Sequence, residues 1–223
     1  MSAPRVAVLL DENTSGGGSR YEAAKGYFLG VSRAGGLTYG LGYDARTATD
    51  AIALCDALVL PGGRYAMPAD WYEGPPADSP QTDRLAVEIQ LARGFLDAGK
   101  PVLGICAGMQ VLAALADCKL TAHVDGHNGR EVRHGVSIAP GTRLQALVGE
   151  RLTVNSFHNE AIVALGAGVV AAAHADDGTI EAIQLPGPGF ALGVQWHQEL
   201  FAHEDHPGNA IFQGLIDACG EPR

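Results

Sequence analysis

The residues with most chemistry in this 223-residue sequence are one cysteine set between glycines and two histidines each followed two places later by a glutamate. The cysteine stands in Gly104-Ile105-Cys106-Ala107-Gly108, the cysteine version of a nucleophile elbow. Such an elbow needs an apolar strand before it and a helix after it. Pro101 to Ile105 supplies the strand, and Gly108 to Ala116 reads as the helix. Gly108 leaves room for helix and strand to pack closely, and Gly104 keeps a side chain out of the corner. Cys106 then sits at a helix N-terminus, where the partial positive charge favours the thiolate. An unperturbed cysteine is only about a few per cent ionised at pH 7, so this placement has chemical value. In a chain with 30 glycines the spacing alone also fits a buried structural cysteine; the strand and helix around it favour the nucleophile.

A thiol nucleophile needs a base, the base needs an orienting group, and the oxyanion needs donors. In extended chain, residues i and i+2 face the same side, so His-x-Glu delivers base and carboxylate together. His197 and Glu199 satisfy this, and so do His158 and Glu160. Spacing does not choose between them; His197 is favoured because it ends the continuous apolar run Phe190 to Trp196. Pro61-Gly62-Gly63 follows the buried strand Ala57 to Leu60, and glycines there let backbone N–H groups point into a crevice. His203 and His206 lie in a polar loop, and His123, His127 and His134 in a loop-like stretch. His123-x-x-x-His127 has metal-ligand spacing, but its surroundings do not hold a helix and no third ligand is evident. No metal is therefore expected. Gly16-Gly-Gly18 lacks the spacing of a phosphate-binding fingerprint and reads as a flexible loop.

The elements around these residues alternate. Val6 to Leu10 and Ala57 to Leu60 are continuous apolar runs, the kind buried in parallel sheets. Helices are expected over Tyr21 to Ala34, capped by Ser19, over Thr49 to Cys55, capped by Thr49, and over Gln81 to Ala98. The last should turn Leu85, Ile89, Ala92 and Leu96 inward. Leu37 to Tyr43 is a weak strand. The long proline- and aromatic-rich segment from Arg64 to Pro80 reads as a lid or substrate wall, with a structural or subunit-contact loop as the alternative. In the second half Gly135 to Ala139, Thr153 to Ile162 and Gly168 to His174 read as strands. Asp176-Asp177-Gly178 marks a hairpin, and Asn209 to Cys219 a terminal helix. The fold class is thus α/β: three layers, a mainly parallel doubly wound sheet, a β-hairpin region added in the second half, and a single domain over 1–223. A net charge of −10 argues against nucleic acid and anionic membrane as partners. No stretch reads as a signal peptide or membrane span, and the four scattered cysteines form no framework, so a cytoplasmic protein is expected.

Taken together, Leu60-Pro-Gly-Gly63, Pro101-Val-Leu-Gly-Ile-Cys-Ala-Gly-Met-Gln110, Val154-Asn-Ser-Phe-His158, Asp177-Gly-x-x-Glu-Ala-Ile183 and Leu192-Gly-Val-Gln-Trp-His-Gln-Glu199 resemble the class I glutamine amidotransferase superfamily. Within it they are most similar to the γ-glutamyl-γ-aminobutyrate hydrolases, a cysteine peptidase family of the C26 type. The resemblance runs nearly end to end. It implies Cys106 as nucleophile, His197 as base and Glu199 as orienting acid. It implies an oxyanion hole from the N–H groups of Gly63 and Ala107, and a γ-glutamyl pocket lined by Gln110, Asn155, Ser156 and His158. The implied substrate is a small γ-glutamyl amide of the kind met in polyamine catabolism, with no cofactor and with self-association into a homo-oligomer as a further expectation. A glutaminase subunit feeding ammonia to a separate synthase is the alternative enzyme. A small-molecule-binding or redox-sensing relative is the non-catalytic one. Three positions depart from the family pattern: Gln198 replaces a proline, Ala107 an arginine and Glu160 a glutamine. Losing a positive charge and gaining a negative one predicts a pocket that prefers an amine-bearing leaving group.

Overall fold

The computed structural model describes residues 2–12, 17 and 20–220, with 130 and 131 described by backbone alone. The expected Ser19 cap and most of the Gly16–Gly18 loop fall outside the described residues.

In chain order the first half runs β1 (Arg5–Leu9), β2 (Asp11–Glu12), β3 (Tyr21–Glu22), α1 (Lys25–Arg33), β4 (Leu37–Leu41), α2 (Ala45–Leu54), β5 (Ala57–Leu60), α3 (Arg84–Asp97), β6 (Val102–Ile105) and α4 (Ala107–Leu115). The second half runs β7 (Lys119–Thr121), β8 (Asn128–Ile138), α5 (Arg143–Val148), β9 (Arg151–Phe157), β10 (Ala161–Ala164), β11 (Val170–Ala175), β12 (Ile180–Gln184), β13 (Ala191–Val194) and α6 (Ala210–Asp217). The large sheet has the order β4-β1-β5-β6-β13-β12-β11-β8-β9, with β7 and β10 attached beside β12. From β4 to β13 neighbours are parallel; from β13 to β9 they are antiparallel. The expected α/β class holds, and its added region proves to be the whole antiparallel half.

The inner parallel strands β1, β5, β6 and β13 are apolar from Val6 onward because helices cover both faces, and alternate side chains feed two cores, whereas the edge strand β4 is largely exposed. Leu58 and Leu60 join Leu91, Phe95 and Leu112 under α3 and α4. Val59, Leu103 and Ile105 join Val31, Trp196, Phe212 and Leu215 under α1 and α6.

Several expected boundaries move, each for a local reason. Tyr21 and Glu22 pair with Glu12 and Asp11 as a ribbon, so α1 starts only at Lys25. The cap of α2 is Asp44, whose carboxylate accepts from the N–H groups of Arg46 and Thr47; Thr49 lies inside the helix and donates to the Ala45 carbonyl. The stretch Thr153 to Ile162 is two strands, and the turn between them carries His158 to Glu160. Helix α5, capped by Thr142, was not anticipated. On α3 the buried face is Arg84, Val87, Glu88, Leu91, Ala92 and Phe95, so Leu85, Ile89 and Leu96 are only partly covered. An apolar pattern could not announce this rotation, because it serves a buried ion pair between Arg84 and Glu88.

The Arg64–Pro80 segment is a wall. Tyr65, Met67 and Tyr72 are buried in the core beneath it, and the N–H of Ala66 binds the carbonyl of Pro80.

Candidate active site

Three chain segments leave the carboxyl ends of β5, β6 and β13 and converge, as ligand-binding loops of parallel sheets do. The β6 segment is the elbow. Cys106 has φ +53° and ψ −110°, a conformation costing about 1–3 kcal/mol for a residue with a Cβ. The surroundings impose it. A Cβ on Gly104 would lie 2.5 Å from the Gly108 carbonyl oxygen, and one on Gly108 would lie 2.2 Å from that of Leu60. The Cys106 N–H is tied to the Val194 carbonyl at 2.8 Å, which fixes the elbow against β13.

The β13 segment carries His197. Its Nδ1 lies 2.7 Å from Glu199 Oε1. Asn155 clasps the His197 backbone, accepting its N–H and donating to its carbonyl, both at 2.9 Å. Burial works against charge on the His197 ring. Cys106 beside it, then Glu199, outweigh that and push the imidazole up to about 11. His197 can therefore rest as an imidazolium beside the cysteine. A Cβ on Gly62 would lie 2.7 Å from His197 Cε1 and 3.4 Å from the Cys106 Cβ, so ring and cysteine both pack on that glycine. Glycine is also required at Gly26 of α1, where a Cβ would meet the Glu199 carbonyl oxygen at 1.8 Å. Where the family pattern has proline, the Gln198 side chain accepts from Trp196 Nε1 at 2.9 Å and donates to Asn209 Oδ1 at 3.0 Å. Hydrogen bonds thus stiffen the turn in place of a ring.

The rival pair is arranged differently. His158 Nδ1 lies 2.9 Å from the backbone carbonyl of Glu160, while the Glu160 carboxylate accepts from the Tyr72 hydroxyl at 2.6 Å. No carboxylate–imidazole contact forms within it.

The β5 segment offers the oxyanion donors. The Gly62 N–H is taken by the Tyr27 hydroxyl at 2.9 Å, whereas that of Gly63 has no acceptor among the described residues. Ala107 opens α4, where first-turn N–H groups have no partner within the helix. Beneath this loop lies Arg84, which sequence reasoning missed. Its Nη2 donates to the Pro61 carbonyl at 2.6 Å, and its Nη1 to the Gly62 carbonyl at 2.9 Å and to Asp11 at 3.0 Å. Its Nε lies 3.0 Å from Glu88 Oε2. Complete burial opposes the charge, but Glu88, Tyr65 and Asp11 hold the guanidinium well above its ordinary value. An Arg and a Glu four apart on a helix normally mark a solvated face, so the sequence carried no signal for this role.

Gly63, Cys106, Gln110, His158, Glu160 and His197 line one cleft of about 680 Å³. Asn155 and Ser156 do not reach it. Asn155 holds His197, and Ser156 is fully buried with its hydroxyl on the His127 carbonyl. Both are corrected from pocket lining to framework. Arg64 also lines the cleft, so the wall supplies the positive charge that Ala107 lacks. Burial pushes the Glu160 carboxyl up, against the Tyr72 hydrogen bond. The expectation of no metal cluster also needs correction. His123 is exposed beside Asp125, but His127 is buried against His134 and Glu181, a grouping able to hold an ion.

Comparison with known proteins shows the family and the fold. The Peptidase C26 family pattern matches residues 6–199. The chain is 39% identical over 207 residues to Rv2859c of Mycobacterium tuberculosis, a protein named as a glutamine amidotransferase candidate, covering 86% of this chain and 66% of that one. It is 31% identical to protein NtpR of Enterococcus hirae, with 86% of each covered. It is 25% identical to the γ-glutamyl-γ-aminobutyrate hydrolase PuuD of Escherichia coli strain K12, covering 98% of this chain and 94% of that protein. Among solved structures, a glutamine amidotransferase of Thermotoga maritima shares the fold, with TM-score 0.64 at 16% identity, over 98% of this chain and 96% of that one.

Proposed function

The chain belongs to the peptidase C26 family of glutamine amidotransferase-like hydrolases, and from that premise we propose that it cleaves the γ-glutamyl amide bond of a small γ-glutamyl amine. The observation that carries the reading is His197, held at 2.7 Å by Glu199 and charged beside the strained Cys106 elbow.

The Cys106 thiolate attacks the side-chain carbonyl carbon of the γ-glutamyl group. The N–H groups of Gly63 and Ala107 take the negative charge that develops on its oxygen. His197 gives its proton to the amide nitrogen, the C–N bond breaks, and the amine leaves. A γ-glutamyl thioester remains on Cys106. Water then attacks with His197 accepting its proton, the C–S bond breaks, and glutamate and thiolate are released. Gln110 and His158 line the γ-glutamyl end of the cleft. Arg64 and Glu160 provide opposite charges for a substrate that carries both. The γ-aminobutyrate-type amide is suggested by the name of the Escherichia coli relative; the anionic Glu160 favours a leaving group with a free amine instead.

The test is glutamate release from γ-glutamyl-putrescine, γ-glutamyl-aminobutyrate and glutamine, with Cys106→Ala as control. Turnover of a γ-glutamyl amine that the alanine variant lacks supports the reading, and faster cleavage of the putrescine amide supports the assignment of Glu160. Turnover of glutamine alone would redirect the reading to an ammonia supplier that needs a synthase partner. Turnover of none by the wild type would favour a binding role.

A further inference from the structure

Behind the cleft, three histidines surround one glutamate, and of these only His158 also lines the cleft. Glu181 on β12 is fully buried. Its Oε1 lies 3.1 Å from His127 Nδ1, 3.5 Å from His134 Nε2 and 3.3 Å from His158 Nε2. None of these approaches has hydrogen-bond geometry: both Glu181 oxygens, His134 Nε2 and His158 Nε2 are buried with no hydrogen-bond partner.

The outer nitrogens explain the conflict. His158 Nδ1 faces the Glu160 carbonyl at 2.9 Å, His134 Nδ1 faces the Gly135 carbonyl at 3.3 Å, and His127 Nε2 faces Asp177 Oδ2 at 3.0 Å. Each partner is an acceptor, so each outer nitrogen carries the proton. In a neutral ring the inner nitrogen is then a lone pair. At His134 and His158 two such lone pairs face an anionic oxygen, which is repulsive unless positive charge lies among them; the His127 imidazole, held up to about 9 by Glu181 and Asp177, brings one positive charge when protonated. His127 Nδ1 also lies 3.1 Å from Ser156 Oγ, which donates its proton to the His127 carbonyl at 2.8 Å and can accept from that nitrogen when it is protonated.

We propose that His127 Nδ1, His134 Nε2 and the Glu181 carboxylate bind one divalent transition-metal ion of the zinc type, with His158 Nε2, 3.3 Å from Glu181, as the neighbouring donor. With metal–ligand distances of about 2.0–2.2 Å, a tetrahedral site has edges of about 3.3–3.6 Å, close to the spacings from Glu181 Oε1. The donor set of three imidazoles and one carboxylate suits zinc and its neighbours better than calcium or magnesium. Ring N–H groups held by carbonyls and by a carboxylate are the usual second layer of a histidine metal site, and Asp177 completes a carboxylate–histidine–metal chain. The ligands come from the approach to β8, from β8 itself, from the end of β9 and from β12. The ion would tie these together beside the turn that brings Phe157, Asn159 and Glu160 to the cleft, without joining the reaction at Cys106.

The experiment is titration of chelator-treated, full-length protein with Zn²⁺, followed by bound-metal analysis, and with Co²⁺, followed by its visible absorption. The Cys106→Ser variant is titrated in parallel. We expect one equivalent in both proteins, a Co²⁺ spectrum of four- or five-coordinate type, and a melting temperature raised by Zn²⁺. Asp177→Asn should weaken binding by about 10–100-fold, and His134→Ala by at least as much. Absence of tight binding to the folded wild type would overturn the proposal, leaving a cluster charged by protons. Loss of binding in Cys106→Ser, or unchanged affinity in His134→Ala, would place the metal elsewhere and overturn it as well.

Discussion

Arg84 holds the oxyanion loop through a single peptide plane. The Gly62 carbonyl that accepts from Arg84 Nη1 at 2.9 Å and the Gly63 N–H that would face the oxyanion belong to the same planar, trans unit. Fixing one end aims the other. Replacing Arg84 with Met should therefore have two separable effects. Glu88, fully buried, loses its counter-charge, and breaking such a pair costs about 3–5 kcal/mol. For a domain of this size each kcal/mol moves the melting temperature by about 2–4 °C, so a fall of about 6–20 °C is expected. Adding Glu88→Gln removes the stranded charge and leaves an oxygen for the Tyr65 hydroxyl, now bonded to Glu88 at 2.6 Å. Most of the stability should return. A deficit of about 1–3 kcal/mol remains from the Pro61 carbonyl, which has lost a buried donor.

Catalysis should not return with it. Without the guanidinium the Gly62–Gly63 peptide can rotate, and loss of one oxyanion donor costs about 10²–10³ in kcat. Both the single and the double variant should show that fall, with KM little changed, when assayed well below their melting temperatures. Recovery of wild-type kcat in the double variant would refute the idea that Arg84 aims the Gly63 N–H. It would reduce Arg84 to a stabilising ion pair.

Two further outcomes follow from the same geometry. Glu199→Gln keeps an oxygen near His197 Nδ1 but removes a charge that raises the ring, so the imidazolium loses its proton at lower pH. The alkaline limb of kcat/KM, set in the wild type by a group near about 11, should move down, with kcat reduced by about 10²–10⁴-fold; an unmoved limb would mean that Glu199 only orients the ring. For Glu160, burial makes the folded-state carboxyl bind its proton more tightly than the unfolded chain does, so its ionisation penalises the folded state as pH rises through that raised value. Glu160→Gln should melt higher than wild type at pH 7, the gap closing toward acid pH, and should lose relative rate on γ-glutamyl-putrescine; a gap that does not vary with pH would contradict this.

The parallel half of the fold was legible because its inner strands are apolar on both faces and its turns are written in glycine. Cys106, His197 and Glu199 were found because nucleophile, base and carboxylate carry local spacing. Asn155 and Ser156 were visible as a motif and expected in the pocket, since a side chain pointing at backbone and one pointing at substrate look alike in sequence. Arg84 and Glu88 were invisible for a stronger reason: the apolar pattern of α3 placed the core face about one residue away, and only the tertiary contact with Pro61 and Gly62 makes a charged pair tolerable there. The histidine cluster was hidden because His127, His134, His158 and Glu181 are scattered over more than fifty positions and meet only when the antiparallel half assembles.

The most direct measurement is intact-mass and peptide analysis of the protein quenched in acid during turnover of a γ-glutamyl amide, with Cys106→Ala beside it. A transient adduct of one glutamyl group is expected on the peptide containing Cys106, decaying as glutamate appears and absent from the variant. Turnover with no adduct at Cys106 under any quench time, or an adduct on another residue, would contradict the thioester mechanism.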